Sequence, residues 1–451
     1  MKKSKILLMV PITSLMEEVP PFPDLGLGYL AAAIKKQGFD VYLRSWNMNP
    51  SLGNFKKYIQ KNEFDIIGIK VFTKDVGASN ETIRIIKSVS PETIIVVGGP
   101  HPSTSEPNEV MIDFPDCDFV FRGEAEIGLP LLIKYVSENG RDISEDLKDI
   151  PGLVWRNGDS VCSNLPVLTS DIDRFGMPLW EIMKPKDYKA PKIRGGSRDG
   201  YSAPIIVTRG CSSRCTYCAA YKINGKMIRA RDPKAVIEEI ALLYDKYHVK
   251  NIFIMDTRFT HNSEVVTGIC EGIIDNNIAI AWDCVAYESL TSLSESLLKL
   301  MKKSGCKLIN AGIEAGTDTI RKRIKKQGTT KEIFEKVKMI KDAEIGVNAF
   351  FMIGFPGETR KDMEETVDFA FSLPADFLHF EIVCPHPGTE LLEYLKAKYK
   401  VDKLDWETFD IYKSPYPLSE ISSLELYRML KTLKRQCLFV SLKRRFSALW
   451  Q

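Results

Sequence analysis

The chain is 451 residues long, with 44% hydrophobic and 27% charged residues, enough apolar material for roughly three domain cores. Lys and Arg number 62 against 59 Asp and Glu, a formal net charge of +3; this excludes the strong overall basic field of a dedicated nucleic-acid binder, and no nucleic-acid partner is expected. No run approaches the ~18 consecutive apolar residues of a membrane span, and seven of the ten cysteines are scattered singly behind no signal sequence, which fits a reducing cytoplasm.

Residues 1–140 alternate strand-like runs (KILLMV, DVYLRS, DIIGIKVF, TIIVVGG, FVFRG) with helix-like segments such as LGYLAAAIKKQG and GLPLLIKYVSEN. This βαβ rhythm predicts an α/β domain with a doubly wound parallel sheet, of flavodoxin-like type, whose ligand lies beyond the carboxyl ends of the strands. Gly98 and Gly99 end one of those strands, where the lack of a Cβ would let a flat ligand approach the backbone. His101 follows them and is the one histidine of this domain.

Residues 141–200 lose the rhythm and read as a connector. GLVWRNGDSVCSN predicts a hairpin around Asn157-Gly158, and the Gly-rich RGGSRDG follows. A second alternation then begins with APIIVTRG, NIFIMD, IAIAWDCVA, KLINAGIE, VNAFFMIG and FLHFEIV. Six strand and helix units over 201–390 predict a partial (β/α)6 barrel, with chemistry on the loops at the strands' carboxyl ends.

The remaining 391–451 is a predicted helical region, in which Ser422 and Glu425 have capping-box spacing. No acid follows residue 425, while Arg428, Lys431, Lys434, Arg435, Lys443, Arg444 and Arg445 gather beside Leu438, Phe439, Phe446 and Trp450. Such a basic amphipathic tail could make peripheral contact with a membrane or an acidic carrier; the plainer alternative is a helix packed on the barrel with a solvated basic face.

The sharpest feature is GCSSRCTYCAA, which places Cys211, Cys215 and Cys218 in one loop after the first barrel strand. Three thiolates at C-x3-C-x2-C spacing can hold three irons of a 4Fe-4S cluster and leave the fourth iron open. A structural zinc site would want a fourth Cys or His, and the nearest downstream histidine is His248.

With Tyr217 before the last cysteine, the loop resembles the signature of the radical S-adenosylmethionine (SAM) superfamily. That resemblance implies SAM on the open iron, cleaved by one electron to methionine and a 5′-deoxyadenosyl radical. NIFIMDTRFT resembles the family's second strand, so Asp256 and Thr257 would receive the methionine end of SAM, although Thr257 stands where an acid is usual. AGIEAGTD resembles the fourth, with Glu314 accepting from the ribose hydroxyls, and FMIGFPGET the fifth, where Gly354 and Gly357 would let backbone approach adenine. Tyr287 and Glu288 end the third strand, where many relatives carry arginine.

PHPGTEL, together with VVGGPHPSTSEPNEV, FRGEAE and PPFPDLGLGYLAAAIKKQGFDV, resembles the branch that carries a cobalamin-binding domain before the barrel. In that light Gly98, Gly99 and His101 become candidate cobalamin contacts, although the Asp-x-His-x-x-Gly motif for a cobalt-ligating histidine is absent. The resemblance implies a C-methyltransferase acting on an unactivated carbon through the adenosyl radical and methylcobalamin. Alternatives are radical cyclisation or rearrangement without net methylation, a methylthiotransferase, and a non-catalytic cobalamin-binding protein.

No catalytic side chain is singled out, because the cofactors carry the hard chemistry. Alternation in FLHFEIV puts His379 and Glu381 on one strand face as candidate substrate contacts, and Cys384 could donate hydrogen or merely pack. The expected partners are a small-molecule, lipid or peptide substrate and a one-electron donor such as flavodoxin or ferredoxin.

Overall fold

The computed structural model describes residues 4–12, 22–44, 52–140, 145–188, 200–286, 290–402, 404–408 and 416–448. Tyr287, Glu288, most of RGGSRDG and Trp450 lie outside the described residues, as do the side chains of Lys443, Arg445 and Phe446. The chain divides into two compact units, Met1–Pro185 with Lys222–Asn224, and Lys186–Tyr221 with Gly225–Gln451.

In the first unit the strands are β1 (Lys5–Met9), β2 (Asp40–Arg44), β3 (Ile66–Lys70), β4 (Ile94–Gly98), β5 (Phe119–Phe121), β6 (Leu153–Asn157) and β7 (Ser160–Ser163). They form one sheet in the order β2-β1-β3-β4-β5-β6-β7. The first five are parallel and alternate with α1 (Leu25–Lys36), α2 (Leu52–Asn62), α3 (Val76–Val89), the short α4 (Pro100–Thr104) and α5 (Pro107–Asp113). Strands β1, β3 and β4 are almost continuously buried, as expected where helices cover both faces of a parallel sheet. After β1 the chain goes to β2 on one side and later to β3 on the other, so the topological switch point lies at the carboxyl ends of β1 and β3.

This unit extends beyond the expected boundary at 140. After α6 (Gly128–Asn139), the Asn157-Gly158 hairpin forms as foreseen, with Gly158 at φ +58°. Instead of standing apart as a connector, it adds β6 and β7 antiparallel to β5. Trp155 joins the core formed by Leu8, Leu27, Phe119 and Leu132. Farther on, α7 (Trp180–Met183) returns to α1, where Leu179 N donates to Gly28 O at 3.0 Å. A Cβ on Gly28 would stand 2.2 Å from Met183 Sδ, so a larger residue there would have to displace the Met183 side chain.

The second unit holds β8 (Tyr201–Ile205), a two-stranded antiparallel ribbon of β9 (Thr208–Arg209) and β10 (Arg229–Ala230), and then β11 (Val249–Ile254), β12 (Ala281–Ala286), β13 (Cys306–Glu314), β14 (Gly346–Ile353) and β15 (Phe377–Ile382). Its main sheet has the order β15-β14-β13-β12-β11-β8, with every pairing parallel. This is the expected open six-stranded barrel.

Alternating with these strands are α8 (Ala220–Asn224), α9 (Pro233–Asp245), α10 (Ser263–Asp275), α11 (Glu295–Lys303), α12 (Asp318–Arg323), α13 (Thr330–Asp342), α14 (Arg360–Ser372) and α15 (Glu390–Tyr399). Their starts are written in the sequence: Asp232 caps α9 with Pro233 at its first position, and Thr329/Glu332 and Thr359/Asp362 close capping boxes on α13 and α14.

The predicted Ser422/Glu425 box also forms, with Ser422 Oγ 2.8 Å from the Glu425 carboxylate. It starts α16 (Ser423–Ala448), whose Leu426, Leu430, Leu433 and Cys437 are buried. That helix packs along β15. Among the described residues no helix is long and apolar enough to cross a membrane.

Candidate cluster and cofactor sites

The cysteine loop runs between the two strands of the β9–β10 ribbon. Gly210 enters it at φ +105°, where a Cβ would lie 2.0 Å from Met227 O; only glycine can occupy that point. Cys211 N donates to Gly225 O at 3.0 Å, and Cys218 N to Cys215 O at 3.1 Å.

From outside the loop, Thr216 N donates to Ile324 O at 3.1 Å and Leu391 N to Thr216 O at 2.9 Å. The Cys215 thiol stands 3.8 Å from Lys325 O. Tyr217, the aromatic of the motif, packs its ring 5.7 Å from that of Phe355.

All three thiols are half-buried, whereas Cys117, Cys270, Cys284, Cys306, Cys384 and Cys437 are buried. Burial raises the Cys215 thiol, with Glu314 and Cys211 adding to the rise, and pushes Cys218 up to about 11, with Cys215 and Cys211 adding to it. Among the described residues no three Cys, His, Asp or Glu side chains stand close enough to hold a metal ion. The cysteines therefore share a loop and an electrostatic environment without forming a closed cage.

The donor set fits an iron–sulfur centre. Three thiols carried on one short loop would become thiolates on a cationic metal core.

Asp256 follows the end of β11 and engages its carboxylate with backbone amides. It is buried, and its two oxygens accept from Val207 N at 2.8 Å and Thr208 N at 2.7 Å. Burial, opposed by those bonds, pushes its carboxyl up to about 7. The residue thus ties the end of β11 to the chain entering the cysteine loop. Thr257 does the same one residue on, its hydroxyl donating to Gly210 O at 3.2 Å. Arg258, which the motif reading passed over, completes the tether by donating to Ser213 Oγ at 2.6 Å.

Glu314 ends β13 just after a register shift, at φ +72°, a conformation rarely adopted by a residue with a Cβ. Its carboxylate is buried and lies 3.2 Å from Lys326 Nζ. Arg321 braces this turn: its guanidinium donates to the carbonyls of Ile313 and Ala315 on either side of Glu314, and to those of Gln327 and Gly328 beyond Lys326.

Gly354 and Gly357 both have positive φ, +94° and +66°. A Cβ on Gly354 would press on Leu426 of α16 at 3.2 Å, and one on Gly357 on Arg323 at 3.1 Å. What shapes the loop is Glu358, whose buried carboxylate accepts from Gly354 N at 2.7 Å and Phe355 N at 2.9 Å. Burial pushes it up to about 7.

His379 and Glu381 share a face of β15, opposite the buried Leu378, Phe380 and Ile382. His379 stacks on Phe350 of β14 with ring centroids 5.0 Å apart. The face with Phe350 and Met352 is only partly covered, whereas Phe351 and Ile353 behind it are buried. Cys384 is buried in a cluster with Ala315 and Phe355; it packs.

In the first unit, Gly98 has room, since a Cβ would make ordinary contact with Phe121 at 3.8 Å. Gly99 is required by the sheet itself: at φ +107° its Cβ would lie 2.9 Å from Val71 N. His101 is wholly buried, with Nδ1 3.3 Å from Thr73 Oγ1 and Nε2 3.1 Å from Asp113 Oδ2. Both ring nitrogens are engaged within the first unit. The charged feature at the switch point is Lys70, which ends β3 and pairs at 2.6 Å with Asp24, the N-cap of α1.

Two family descriptions match: "Radical SAM superfamily" over residues 205–370 and "B12 binding domain" over residues 19–133. An uncharacterized methyltransferase of Pyrococcus horikoshii is 30% identical over 436 residues, covering 96% of this chain and 92% of its own length. The chain belongs to the radical SAM superfamily, in the branch with a B12-binding domain before the barrel.

Among other relatives of this radical SAM protein, the cytidylyl-2-hydroxyethylphosphonate methyltransferase of Streptomyces wedmorensis is 26% identical, covering 86% of this chain and 81% of that one. The anaerobic magnesium-protoporphyrin IX monomethyl ester cyclase of Cereibacter sphaeroides is 27% identical, covering 84% and 61%. In fold, the chain is similar to the radical SAM methyltransferase TsrM from Kitasatospora setae, solved with cobalamin and a [4Fe-4S] cluster (TM-score 0.70, 18% identity, 92% of this chain and 78% of that one). It is also similar to the cobalamin-dependent radical enzyme OxsB (TM-score 0.69, 19% identity, 96% and 61%).

Proposed function

We propose that this protein is a cobalamin-dependent radical SAM methyltransferase that places a methyl group on an unactivated carbon of a small-molecule substrate. When bound, the cluster, SAM and cobalamin supply an organic radical and a transferable methyl group. The chain's own residues hold and orient them. Cys211, Cys215 and Cys218 would bind three irons, and Glu314 would accept hydrogen bonds from the SAM ribose. Glu358 bends the 354–355 backbone so that it can meet the adenine, while Asp256, Thr257 and Arg258 act one step back by fixing the cysteine loop. In the first unit the carboxyl edge at Gly98, with Lys70 and Asp24 at the switch point, would receive the corrin and its tail.

The observation that carries this reading is the joining of the three-cysteine loop to the 324–326 turn beside Glu314. It joins the segment of Cys215, which would bind iron, to the turn beside Glu314, which would accept from the ribose, across about a hundred residues of sequence. Substrate would lie against the open face of His379, Glu381, Phe350 and Met352.

The cyclase relatives keep a second reading in view, radical ring closure without net methylation; product mass separates the two, because methylation adds one carbon and two hydrogens to the substrate and ring closure adds no carbon. A one-electron donor such as flavodoxin or ferredoxin, a cytoplasmic location and peripheral membrane contact through the basic face of α16 complete the proposal. Anaerobically reconstituted protein, given SAM and reductant, should form 5′-deoxyadenosine, and Cys215→Ala should reduce it at least a hundredfold. Undiminished formation by that variant would remove the cysteine loop from the chemistry.

A further inference from the structure

The chain carries a formal charge of only +3, yet its cations are not evenly spread. Residues 200–231, which contain the cysteine loop, hold six of them, Arg209, Arg214, Lys222, Lys226, Arg229 and Arg231, and no Asp or Glu. Residues 319–331 hold another six, again with no acid. The fold joins these two segments: Thr216 N donates to Ile324 O at 3.1 Å, and the Cys215 thiol stands 3.8 Å from Lys325 O.

Some of these cations serve the interior, since Arg229, Arg231 and Arg321 are buried. Arg214, Lys226 and Lys322 are exposed, and among the described residues none of the three has a carboxylate partner. Lys226 and Met227 directly follow Gly225, whose carbonyl accepts from Cys211 N at 3.0 Å, and Met227 is 62% exposed. Lys322 lies two residues before Ile324, and Arg214 directly precedes Cys215. The acids at the margins are already engaged. Glu390 pairs with Lys325 at 2.6 Å, Asp318 accepts from Thr330 N at 2.7 Å, and Glu332 closes the box on α13.

A cluster on three half-buried thiols lies close to the surface of these segments, and its electron must come from outside the chain. Exposed cations beside an exposed methionine suit a small, weak and electrostatically steered encounter with an acidic protein. We propose that Arg214, Lys226, Met227 and Lys322 are the docking residues for an acidic one-electron carrier protein that reduces the cluster held by Cys211, Cys215 and Cys218. This rests on the function proposed above and adds where the donor meets the chain. The carrier is oxidised by one electron and the cluster reduced by one, with no bond made or broken at the cluster.

The test is the rate of cluster reduction by photoreduced flavodoxin, followed by freeze-quench EPR on reconstituted protein without SAM. Wild type is compared with Lys226→Glu/Lys322→Glu and with Lys431→Glu/Arg435→Glu, which changes the net charge equally on α16; iron content is measured on each. At low salt the second-order rate constant should fall about tenfold or more in Lys226→Glu/Lys322→Glu and change less than about twofold in the α16 variant. In about 0.5 M salt the wild-type rate should approach that of Lys226→Glu/Lys322→Glu. The reduced-to-oxidised ratio of the cluster at a fixed potential, set with small-molecule mediators, should differ less than about twofold among the three, because exposed charges are screened.

A wild-type cluster that flavodoxin does not reduce, equal rates in wild type and Lys226→Glu/Lys322→Glu, an equal loss in the α16 variant, or a changed equilibrium ratio that accounts for the lost rate would overturn the inference and leave the proposed function intact. Equal flavodoxin rates with transfer RNA bound by wild type and released by Lys226→Glu/Lys322→Glu would give these residues to nucleic acid instead. If that variant cannot hold iron, the salt dependence of the wild-type rate decides, and a rate unchanged by salt overturns the inference. Wild-type protein that takes up no cluster would overturn the proposed function and this inference together.

Discussion

Asp256 and His101 are polar residues beyond strand ends whose side chains are held by hydrogen bonds within the fold. The Asp256 carboxyl, pushed up to about 7 by burial, holds a proton that the unfolded chain has released from about pH 4 upward. Stability of the cofactor-free protein should therefore fall as pH rises from about 4 to 7 and level off above it; Glu358, raised to the same region, adds to the slope. Asp256→Asn keeps one acceptor oxygen and leaves one of the two amides unsatisfied. It should cost about 1–3 kcal/mol at pH 7, and urea unfolding across the pH series should show a shallower slope than wild type.

His101→Leu removes the partner of Asp113 and Thr73, with a similar expected loss of about 1–3 kcal/mol. Cobalt retention by the folded fraction should not change. Loss of cobalt without loss of stability would restore His101 as a ligand.

The regular elements were legible because their signals are local. Apolar runs and period-two alternation mark the strands, and Asp232, Thr329, Thr359 and Ser422 announce helix starts at short range. The hairpin at Gly158 was also legible, but not its pairing with β5, since nothing in a hairpin's own sequence names the edge it joins. In the candidate site the three cysteines and Glu314 were legible by spacing and resemblance. Arg321, Lys326, Arg258 and Glu358 were not, because side chains that bond to bent backbone or to distant loops leave no periodic trace.

The loop geometry makes its own prediction. Gly210→Ala must place a Cβ at φ +105° against Met227 O, which should cost about 2 kcal/mol or more. Iron retained after reconstitution should drop several-fold, with cobalt retention unchanged. Full iron content in that variant would mean that the ribbon is not what frames the cysteines.

On the scale of the whole molecule, a near-neutral chain is built from two α/β units, the first with five parallel strands extended by an antiparallel hairpin and the second with an all-parallel main sheet. A local basic feature lies on α16. Along α16, Leu426, Leu430, Leu433 and Cys437 turn inward, while Leu424, Tyr427, Leu438 and Phe439 are exposed among Arg428, Lys431 and Arg435. If this face meets anionic membrane, Lys431→Glu with Arg435→Glu should weaken cosedimentation with phosphatidylserine vesicles at least fivefold at low salt. Equal sedimentation of variant and wild type would leave it a solvated surface.

The most direct test of a two-cofactor enzyme is the metal content of protein made anaerobically with cobalamin supplied and the cluster reconstituted. The predicted result is about four irons per chain, as a three-cysteine 4Fe-4S site requires, together with about one cobalt in the first unit. Iron at that level with no cobalt, despite ample supply, would contradict the methyltransferase reading.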